Sequence, residues 1–423
     1  MFTNNLLAQT TLETENSPQI TRSSRLFDTI EFKSPQIVKG CCKTSITFRV
    51  RADKARNVYL DGDFLSTSLR PIKMNRAENG VWEYTYIDTL KMHGLFTYIF
   101  YVDSLRFLDP SNINIIRNDT RYYNYFTLNE PILNLNQTPD VEQSKRGNVL
   151  HTWYYSKSLN MNRRVAIYLP YDYFLNATSS NPVKYKTLYL IHGMGGDEDS
   201  WLRFGRAEQI LNNLIENKLI EPLIVVMPNA NIDVDAAPGE SAIGYNVPDP
   251  YLPHTMDGKF EHIFEEIVNF IDSNFSTQNS KSGRYIAGYS MGGLNSFLIS
   301  LLYPNMFSAV GLFSPAVGYG TSTVEGFANF EKNFSTLVER DFSLYYMKIG
   351  REDFLLQSFD ALKERIEKKI AEDKKNRDKY QYICTYSDGG HIWTNWREYL
   401  VEFLQAIENQ QQYQKQNQQQ NQK

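Results

Sequence analysis

Short apolar segments alternate with amphipathic segments from about residue 163 to residue 407, and this alternation limits the possible folds more than any other feature. Strands that alternate with helices predict a mostly parallel sheet covered by helices on both faces. The predicted strands are 163–170, 186–191, 222–228, 284–289, 309–314, 344–349 and 380–386. The predicted helices are 205–218, 260–273, 291–303, 355–372 and 396–407.

The N-terminal part of the chain has a different hydrophobic period. Ile46, Phe48 and Val50 alternate with polar residues, and several such segments are separated by Gly, Asp and Asn. This period of two predicts an antiparallel sandwich of short strands. Trp82 lies in one alternating segment, where a large aromatic side chain is more often part of the core than of a sugar-binding surface. We therefore expect the sandwich mainly to pack against the second domain and shape one edge of its cleft, with little glycan affinity of its own.

Composition then suggests where the domains begin and end. The stretch between the two periodic regions is polar and contains Pro131 and Pro139, and the C-terminus is rich in Gln and Asn and cannot bury a core. The predicted divisions are a loosely ordered N-terminus at 1–24, the sandwich at 25–128, a linker at 129–148, the α/β domain at 149–408 and a disordered tail at 409–423.

Ser290 lies at the junction of predicted strand 284–289 and predicted helix 291–303, within Gly-Tyr-Ser-Met-Gly-Gly. A Gly-x-Ser-x-Gly sequence between a strand and a helix forms a sharp turn in which glycines avoid Cβ clashes. The serine Oγ then projects above the sheet, close to the helix N-terminus. Ser290 is therefore the predicted nucleophile.

A serine nucleophile needs a base and an acid, which follow it in the order Ser, Asp or Glu, His in α/β hydrolases. Of the 6 histidines, only His391 follows Ser290, and it lies in a Gly-Gly-His loop after the last predicted strand. Asp353 follows predicted strand 344–349 and is our choice for the acid that orients the imidazole, with Glu352 as the alternative.

Two backbone N–H groups are predicted to stabilise an oxyanion. One belongs to Met291, directly after the nucleophile, and the other is assigned to Met194 in the His-Gly-Met-Gly-Gly segment after strand 186–191. His192 in that segment precedes Ser290 and has no partner ligand at zinc-like spacing, so we expect it to make a structural hydrogen bond.

Aromatic residues beside these motifs are candidates for substrate binding. Trp201 follows the oxyanion segment, Trp393 lies two residues after His391, and Tyr289 precedes the nucleophile. We predict that all three line the substrate cleft. For each tryptophan the alternative is ordinary core packing.

Charge, cysteine content and hydropathy exclude several classes of protein. The net charge of −4 gives no reason to expect nucleic acid or an anionic membrane as a partner. There are 3 cysteines and no disulfide pattern, and no apolar stretch is long enough to span a membrane. Met1–Ile20 shows no signal peptide, so either the protein is cytoplasmic or the sequence begins after a removed signal. Neither a metal nor an organic cofactor is expected, and the sequence carries no signal for oligomeric state.

Four separated motifs resemble the esterase D and feruloyl esterase family, in its branch that degrades plant polysaccharides. They are HGMGGDEDSW from His192, the segments around 228–240, the glycine-rich turn at Ser290 and GGHIWTNW from Gly389. Segments at 45–52, 58–64 and 108–125 resemble the glycogen-binding modules that often precede such esterases. The resemblance implies an α/β hydrolase fold preceded by an immunoglobulin-like antiparallel β-sandwich.

This resemblance also implies an activity. It favours a feruloyl esterase that releases hydroxycinnamates from arabinoxylan, so that the partner is an acylated plant cell-wall polysaccharide or oligosaccharide and the protein is secreted. An acetyl-xylan esterase is the nearest alternative, followed by a siderophore or thioester hydrolase on the same scaffold. A carbohydrate-binding protein with an inactive esterase domain is the alternative from another class.

Overall fold

The computed structural model describes residues 32–77, 80–89, 94–118, 121–128, 145–241, 257–318, 334, 342, 344–372 and 381–421. The predicted N-terminal stretch 1–24 and most of the predicted linker lie outside these residues.

Two antiparallel sheets form the N-terminal domain, as the period of two predicts. One sheet has the strand order β1-β2-β6-β5, and the other has the order β4-β3-β7-β10-β9, with β8 paired to β7. The strands are β1 (Gln36–Lys39), β2 (Thr44–Arg51), β3 (Val58–Gly62), β4 (Ile72–Lys73), β5 (Asn75–Arg76), β6 (Val81–Asp88), β7 (Gly94–Val102), β8 (Leu105–Phe107), β9 (Ile115–Asn118) and β10 (Arg121–Leu128).

Aromatic side chains from both sheets fill the core of this sandwich. Phe48 of β2 packs against Tyr98 of β7 and Phe126 of β10, with ring centroids 4.9 and 5.7 Å away. Trp82 is 4% exposed, and its indole N–H donates to the carbonyl of Ala52. The expectation that Trp82 is a core residue is confirmed.

Eight strands form one sheet in the C-terminal domain, in the order β11-β12-β14-β13-β15-β16-β17-β18. Each of the seven predicted strands is present to within two residues at either end. The bounds are β11 (Asn148–Ser156), β12 (Met161–Leu169), β13 (Lys186–Ile191), β14 (Leu223–Pro228), β15 (Arg284–Tyr289), β16 (Ala309–Phe313), β17 (Leu344–Gly350) and β18 (Gln381–Ser387).

The sheet is mixed, because β12 pairs antiparallel with both β11 and β14. From β14 to β18 all pairs are parallel. Strand β11 was missed in the sequence, where no strand was predicted between the end of the linker at residue 148 and the strand at 163–170. This strand lies at an edge of the sheet and mixes exposed, half-buried and buried residues, so it lacks the continuous apolar pattern of the central strands.

Helices cover both faces of this sheet, as predicted. Helices α4 to α7 share one buried cluster with the sheet, and α2, α3 and α8 share the other. The bounds are α1 (Tyr173–Ala177), α2 (Ser200–Arg203), α3 (Ala207–Glu216), α4 (Lys259–His262), α5 (Phe264–Asn274), α6 (Met291–Leu302), α7 (Leu356–Glu372) and α8 (Trp393–Asn421).

The predicted disorder of the tail is wrong as far as Asn421, because α8 continues through the Gln-rich stretch. Gln411 donates a hydrogen bond to the Tyr285 hydroxyl and accepts one from Lys186. Extending a helix costs little once its first turns have formed, and Gln has a high helix propensity. The composition of the tail alone does not show that a helix leads into it.

The two domains are joined by buried polar contacts. Arg397 of α8 is fully buried and donates to the carbonyl of Leu95 on β7, at 2.9 Å. Arg117 of β9 forms an ion pair with Asp197, in the loop after β13, and both side chains are less than a tenth exposed. Leu95 also belongs to the buried cluster under α3 and α8. The sandwich therefore packs against the α/β domain, as expected from the sequence.

Candidate active site

The parallel strands bring four functional segments to one edge of the sheet. Ser290 directly follows β15, and the loop that begins at His192 directly follows the neighbouring strand β13. Asp353 and His391 lie in the loops that follow β17 and β18, which are also neighbours. Because these strands run in the same direction, the segments that follow them meet above their carboxyl ends.

Ser290 adopts a backbone conformation that few non-glycine residues adopt. Its φ is 55° and its ψ is −120°, between the end of β15 and the start of α6. Its N–H donates to the carbonyl of Phe313 at 2.9 Å, and its own carbonyl accepts from Leu294 and Ala316. A Cβ on Gly292 would lie 2.4 Å from the carbonyl oxygen of His192. The turn therefore needs glycine there, and the surrounding hydrogen bonds maintain the strained serine.

The structure brings the three predicted side chains together. His391 Nε2 lies 2.9 Å from Ser290 Oγ, and His391 Nδ1 lies 2.9 and 3.0 Å from the two carboxylate oxygens of Asp353. The Asp353 side chain is fully buried, whereas that of His391 is 17% exposed. An ionised carboxylate can only accept, so Nδ1 donates to Asp353 and Nε2 is left to accept the serine proton.

The choice between the two adjacent acids follows from where their side chains lie. Glu352 is exposed, and its backbone N–H donates to the carbonyl of Gly389. Asp353 is 4% exposed and also accepts a hydrogen bond from the Leu355 N–H at 3.0 Å. Only the Asp353 carboxylate contacts the imidazole of His391 among the described residues.

Neighbouring residues support His391 in ways that sequence reasoning missed. The rings of Phe354 and Trp396 both contact the imidazole, with ring centroids 4.6 and 4.8 Å from its centroid. Asn395 donates from Nδ2 to the carbonyls of Asp388 and Gly390, and so ties the loop that carries the histidine to the start of α8. Trp396 could have been found as the residue one helical turn after Trp393, on the same face of a helix.

Both residues predicted to supply oxyanion donors border the same cavity as Ser290. Met291 is the first residue of α6, where backbone N–H groups lack partners within the helix. Met194 lies in the loop after β13.

His192 makes the structural contacts expected of it. Its Nε2 accepts from the N–H of Ala230 at 2.8 Å, so Nδ1 donates to the carbonyl of Gly193 at 2.7 Å. Burial lowers the pKa of His192 and favours this neutral form. The ring thereby connects the Met194 loop to the loop after β14.

The loop that carries Met194 is anchored by buried charge. Glu198 is fully buried and accepts from Arg164, Asn229 and the N–H of Ala237, each at 2.9 Å. The interdomain ion pair of Arg117 is made with Asp197, the residue before Glu198. The position of this loop therefore depends on contacts with both domains.

A cavity of about 450 Å³ opens beside Ser290 and receives residues from both domains. The α/β domain contributes a surface that is mainly apolar and aromatic, whereas the sandwich contributes mainly polar side chains. The α/β residues are Met194, Phe204, Tyr289, Ser290, Met291, Ala316, Phe354, Leu355, His391, Ile392, Trp393 and Trp396. The sandwich residues, referred to below as the sandwich wall, are Asp63, Arg70, Thr97, Asn118 and Tyr123.

Two of the three predicted cleft residues line this cavity. Tyr289 and Trp393 do so, although each is only about 5% exposed. Trp201 does not line it, and this part of the prediction is wrong. Its ring is 1% exposed and packs edge-on against Tyr289 and Trp393, and its indole N–H donates to the carbonyl of Ile191. Trp201 is therefore a core residue behind the cleft.

This difference between the two tryptophans predicts different mutant phenotypes. Trp201→Ala should lower the melting temperature by about 10 °C, because it leaves a large cavity, and should leave the preference between aromatic and acetyl esters nearly unchanged. Trp393→Ala should change that preference by about tenfold, since it removes part of the pocket surface. Thermal denaturation and kcat/KM on a ferulate and an acetate ester measure both effects. A preference change in the Trp201 variant alone would contradict the assignment.

The described part of the chain offers no set of three or more His, Cys, Asp and Glu side chains suited to a metal ion. None of the helices in that part is long and apolar enough to cross a membrane. The cysteines, Cys41, Cys42 and Cys384, are all free.

Fold and site together define an α/β hydrolase whose serine, histidine and aspartate are hydrogen-bonded in series. The family described as "Putative esterase" matches residues 156–407, and the chain belongs to this family. The C-terminal domain is accordingly a carboxylic ester hydrolase domain.

Two enzymes with known names are similar to this chain in sequence. An endo-1,4-beta-xylanase/feruloyl esterase of Xylanibacter ruminicola is 30% identical over 288 residues, which are 63% of this chain and 34% of that protein. An acetyl esterase of Caldicellulosiruptor saccharolyticus is 25% identical over 288 residues, 59% of this chain and 93% of that protein. The chain thus spans about a third of the first relative and nearly all of the second.

Among solved structures, the enterobactin esterase of Shigella flexneri in the presence of enterobactin has a TM-score of 0.62 at 15% identity. The likeness covers 89% of this chain and 96% of that chain, so it includes the N-terminal domain. It shows that the two-domain fold is shared.

Proposed function

We propose that this chain is a serine esterase that acts on acylated plant polysaccharide, with hydroxycinnamoyl esters of arabinoxylan as the favoured substrates. The observation that carries the proposal is the hydrogen-bonded series Ser290–His391–Asp353 beside a cavity with an aromatic surface. The feruloyl esterase named among the relatives supports the substrate class. A polymeric cell-wall substrate also implies that the protein is secreted.

The first half of the reaction forms an acyl-enzyme. Ser290 Oγ attacks the ester carbonyl as His391 Nε2 takes the hydroxyl proton, and Asp353 stabilises the imidazolium that results. The N–H groups of Met291 and Met194 donate to the oxyanion that develops on the carbonyl oxygen. The tetrahedral intermediate then collapses as His391 protonates the leaving alcohol.

The second half returns the enzyme to its starting state by the same groups. A water molecule gives a proton to His391 Nε2 and attacks the acyl carbon, and the same donors stabilise the second oxyanion. His391 then returns the proton to Ser290 Oγ, and the carboxylic acid leaves.

Aromatic lining favours an aromatic acyl group over acetate. Tyr289, Trp393 and Trp396 form a packed group beside the nucleophile, with the Tyr289 and Trp396 rings stacked at 4.2 Å between centroids. A planar hydroxycinnamoyl group buries its faces against such rings, whereas an acetyl group leaves most of this surface uncovered. The acetyl esterase among the relatives makes acetylated xylan the second candidate.

A substrate panel tests the proposal. We expect kcat/KM for methyl ferulate to exceed that for an acetate ester and for a thioester by about tenfold or more, because only the ferulate fills the aromatic surface. All of the activity should be absent in Ser290→Ala. A higher kcat/KM for the acetate ester would favour the acetyl-xylan alternative, and a higher value for the thioester or a siderophore triester would contradict the polysaccharide assignment.

A further inference from the structure

The sandwich wall differs chemically from the rest of the cavity. Four of its five residues have side chains that can form hydrogen bonds with a polar ligand: the carboxylate of Asp63, the guanidinium of Arg70, the hydroxyl of Thr97 and the carboxamide of Asn118. The fifth, Tyr123, adds an aromatic ring, and the Arg106 guanidinium covers that ring at 4.4 Å from its centroid. An ester substrate in this cavity therefore meets an apolar surface from one domain and a hydrogen-bonding surface from the other.

Asp63 is held in place by β7. One carboxylate oxygen accepts from the Thr97 N–H at 2.8 Å, and the other accepts from the Thr97 hydroxyl at 3.0 Å. Removal from solvent raises the pKa of Asp63 to about 6. Each carboxylate oxygen can accept a further hydrogen bond, so Asp63 can still accept from a ligand hydroxyl.

Arg70 supplies donors to the same surface. Its Nε donates to Asp61 at 2.6 Å, which orients the planar guanidinium. The two Nη groups make no hydrogen bond to any residue in the described part of the chain, so they remain as donors. Asn118, exposed at the end of β9, can both donate and accept.

Buried contacts also join the sandwich wall to the segments around Ser290. Arg117, which directly precedes Asn118, forms an ion pair with Asp197 in the loop that carries Met194. Arg397 connects β7, which carries Thr97, to the helix that carries Trp393 and Trp396. A ligand could therefore contact the sandwich wall and the nucleophile at the same time without domain movement.

We propose that the sandwich wall is a subsite for a polyhydroxylated leaving alcohol, that is, the sugar unit whose hydroxyl carries the acyl group. The combination of a carboxylate, a guanidinium, a carboxamide and an aromatic ring matches a sugar, which offers hydroxyl donors and acceptors along its edges and apolar C–H faces. The inference rests on the proposed ester hydrolysis. It adds that the N-terminal domain recognises the alcohol within the active site.

The sugar is assigned to this wall because the two halves of an ester differ in polarity. The aromatic surface of the α/β domain suits the acyl group, and burying sugar hydroxyls there would leave them without hydrogen-bond partners. Placing the sugar against the sandwich wall satisfies those hydroxyls and puts the acyl group against Trp393 and Trp396.

Two pairs of substrates test the subsite, and within each pair the acyl group is the same and only the alcohol differs. We would measure kcat and KM for methyl ferulate and arabinose 5-O-ferulate, and for the corresponding methyl and xylosyl acetates. The variants are Arg70→Ala and Asn118→Ala, with Arg56→Ala and Asn75→Ala as matched controls on exposed positions of the sandwich away from the cavity. Melting temperatures check that each variant is folded. Asn118 is exposed, so Asn118→Ala should fold normally even if Arg70→Ala does not.

Each subsite variant should lower kcat/KM for the sugar esters by about tenfold, mainly through KM, because lost hydrogen bonds to a bound substrate have effects of this size. The methyl esters should change by less than about threefold, and the control variants should match wild type. Equal losses on methyl and sugar esters, or no loss on either, would overturn the subsite. Wild-type protein that cleaves none of the four esters would instead contradict the proposed function itself.

Discussion

Replacing Ser290 or His391 with Ala is expected to lower kcat for ester hydrolysis by about 10⁴-fold or more. The Oγ–Nε2 distance of 2.9 Å places the nucleophile and its base in direct hydrogen-bond contact, so each is inactive without the other. Because such groups act as a unit, the double variant should be hardly slower than either single variant. Single-turnover and steady-state assays on a p-nitrophenyl ester measure the effect.

Matched controls separate this effect from damage to the fold. Ser282→Ala and His262→Ala change the same residue types at exposed positions of the same domain, and both should keep wild-type activity. Ser290→Ala should melt close to wild type, because alanine leaves the backbone of the turn in place and His391, which loses its partner, lines the cavity rather than the core. Residual activity within a factor of ten of wild type in either active-site variant would exclude the proposed mechanism.

The second large effect concerns Asp353. Asp353→Asn should lower kcat by about 10³- to 10⁴-fold, somewhat less than loss of the serine or histidine, because the carboxamide no longer stabilises the imidazolium and can favour the wrong tautomer. The side chain is fully buried and contacts Nδ1 with both oxygens, so solvent cannot replace the lost charge.

Glu352→Gln is the matched comparison, because it makes the same chemical change one residue earlier. Glu352 is exposed, so its variant should remain within about threefold of wild type. A strongly impaired Glu352 variant together with a nearly normal Asp353 variant would reverse the assignment of the acid.

The sequence was sufficient for the features that depend on local pattern and chain order. Strands β13 to β17 were predicted, except for their exact ends, from short apolar runs, because central strands of a parallel sheet are buried on both faces. Strands β12 and β18 were predicted from similar runs, although β12 is antiparallel to its neighbours and β18 is a partly exposed edge strand. The strand–turn–helix setting identified Ser290, and the order of the chain left His391 as its base. Asp353 could be named but not separated from Glu352, since neighbouring loop residues point in different directions.

Long-range packing decided what the sequence could not. Trp201 and Trp393 looked equivalent beside their motifs, yet one is core and the other lines the cavity, because exposure depends on what packs against each ring. The tail looked too polar to fold, but helix α8 extends into it from a nucleated segment.

The cavity illustrates the same division most clearly. The sequence by itself determined that a serine, a histidine and an acid would follow parallel strands and meet at one edge of a sheet, because that geometry is inherent in the order of strands and loops. Only the tertiary structure decided that Asp63, Arg70 and Asn118 lie beside them. These residues precede Ser290 by more than 170 positions in another domain, and buried contacts such as Arg117–Asp197 and Arg397–Leu95, which no local pattern encodes, bring them there.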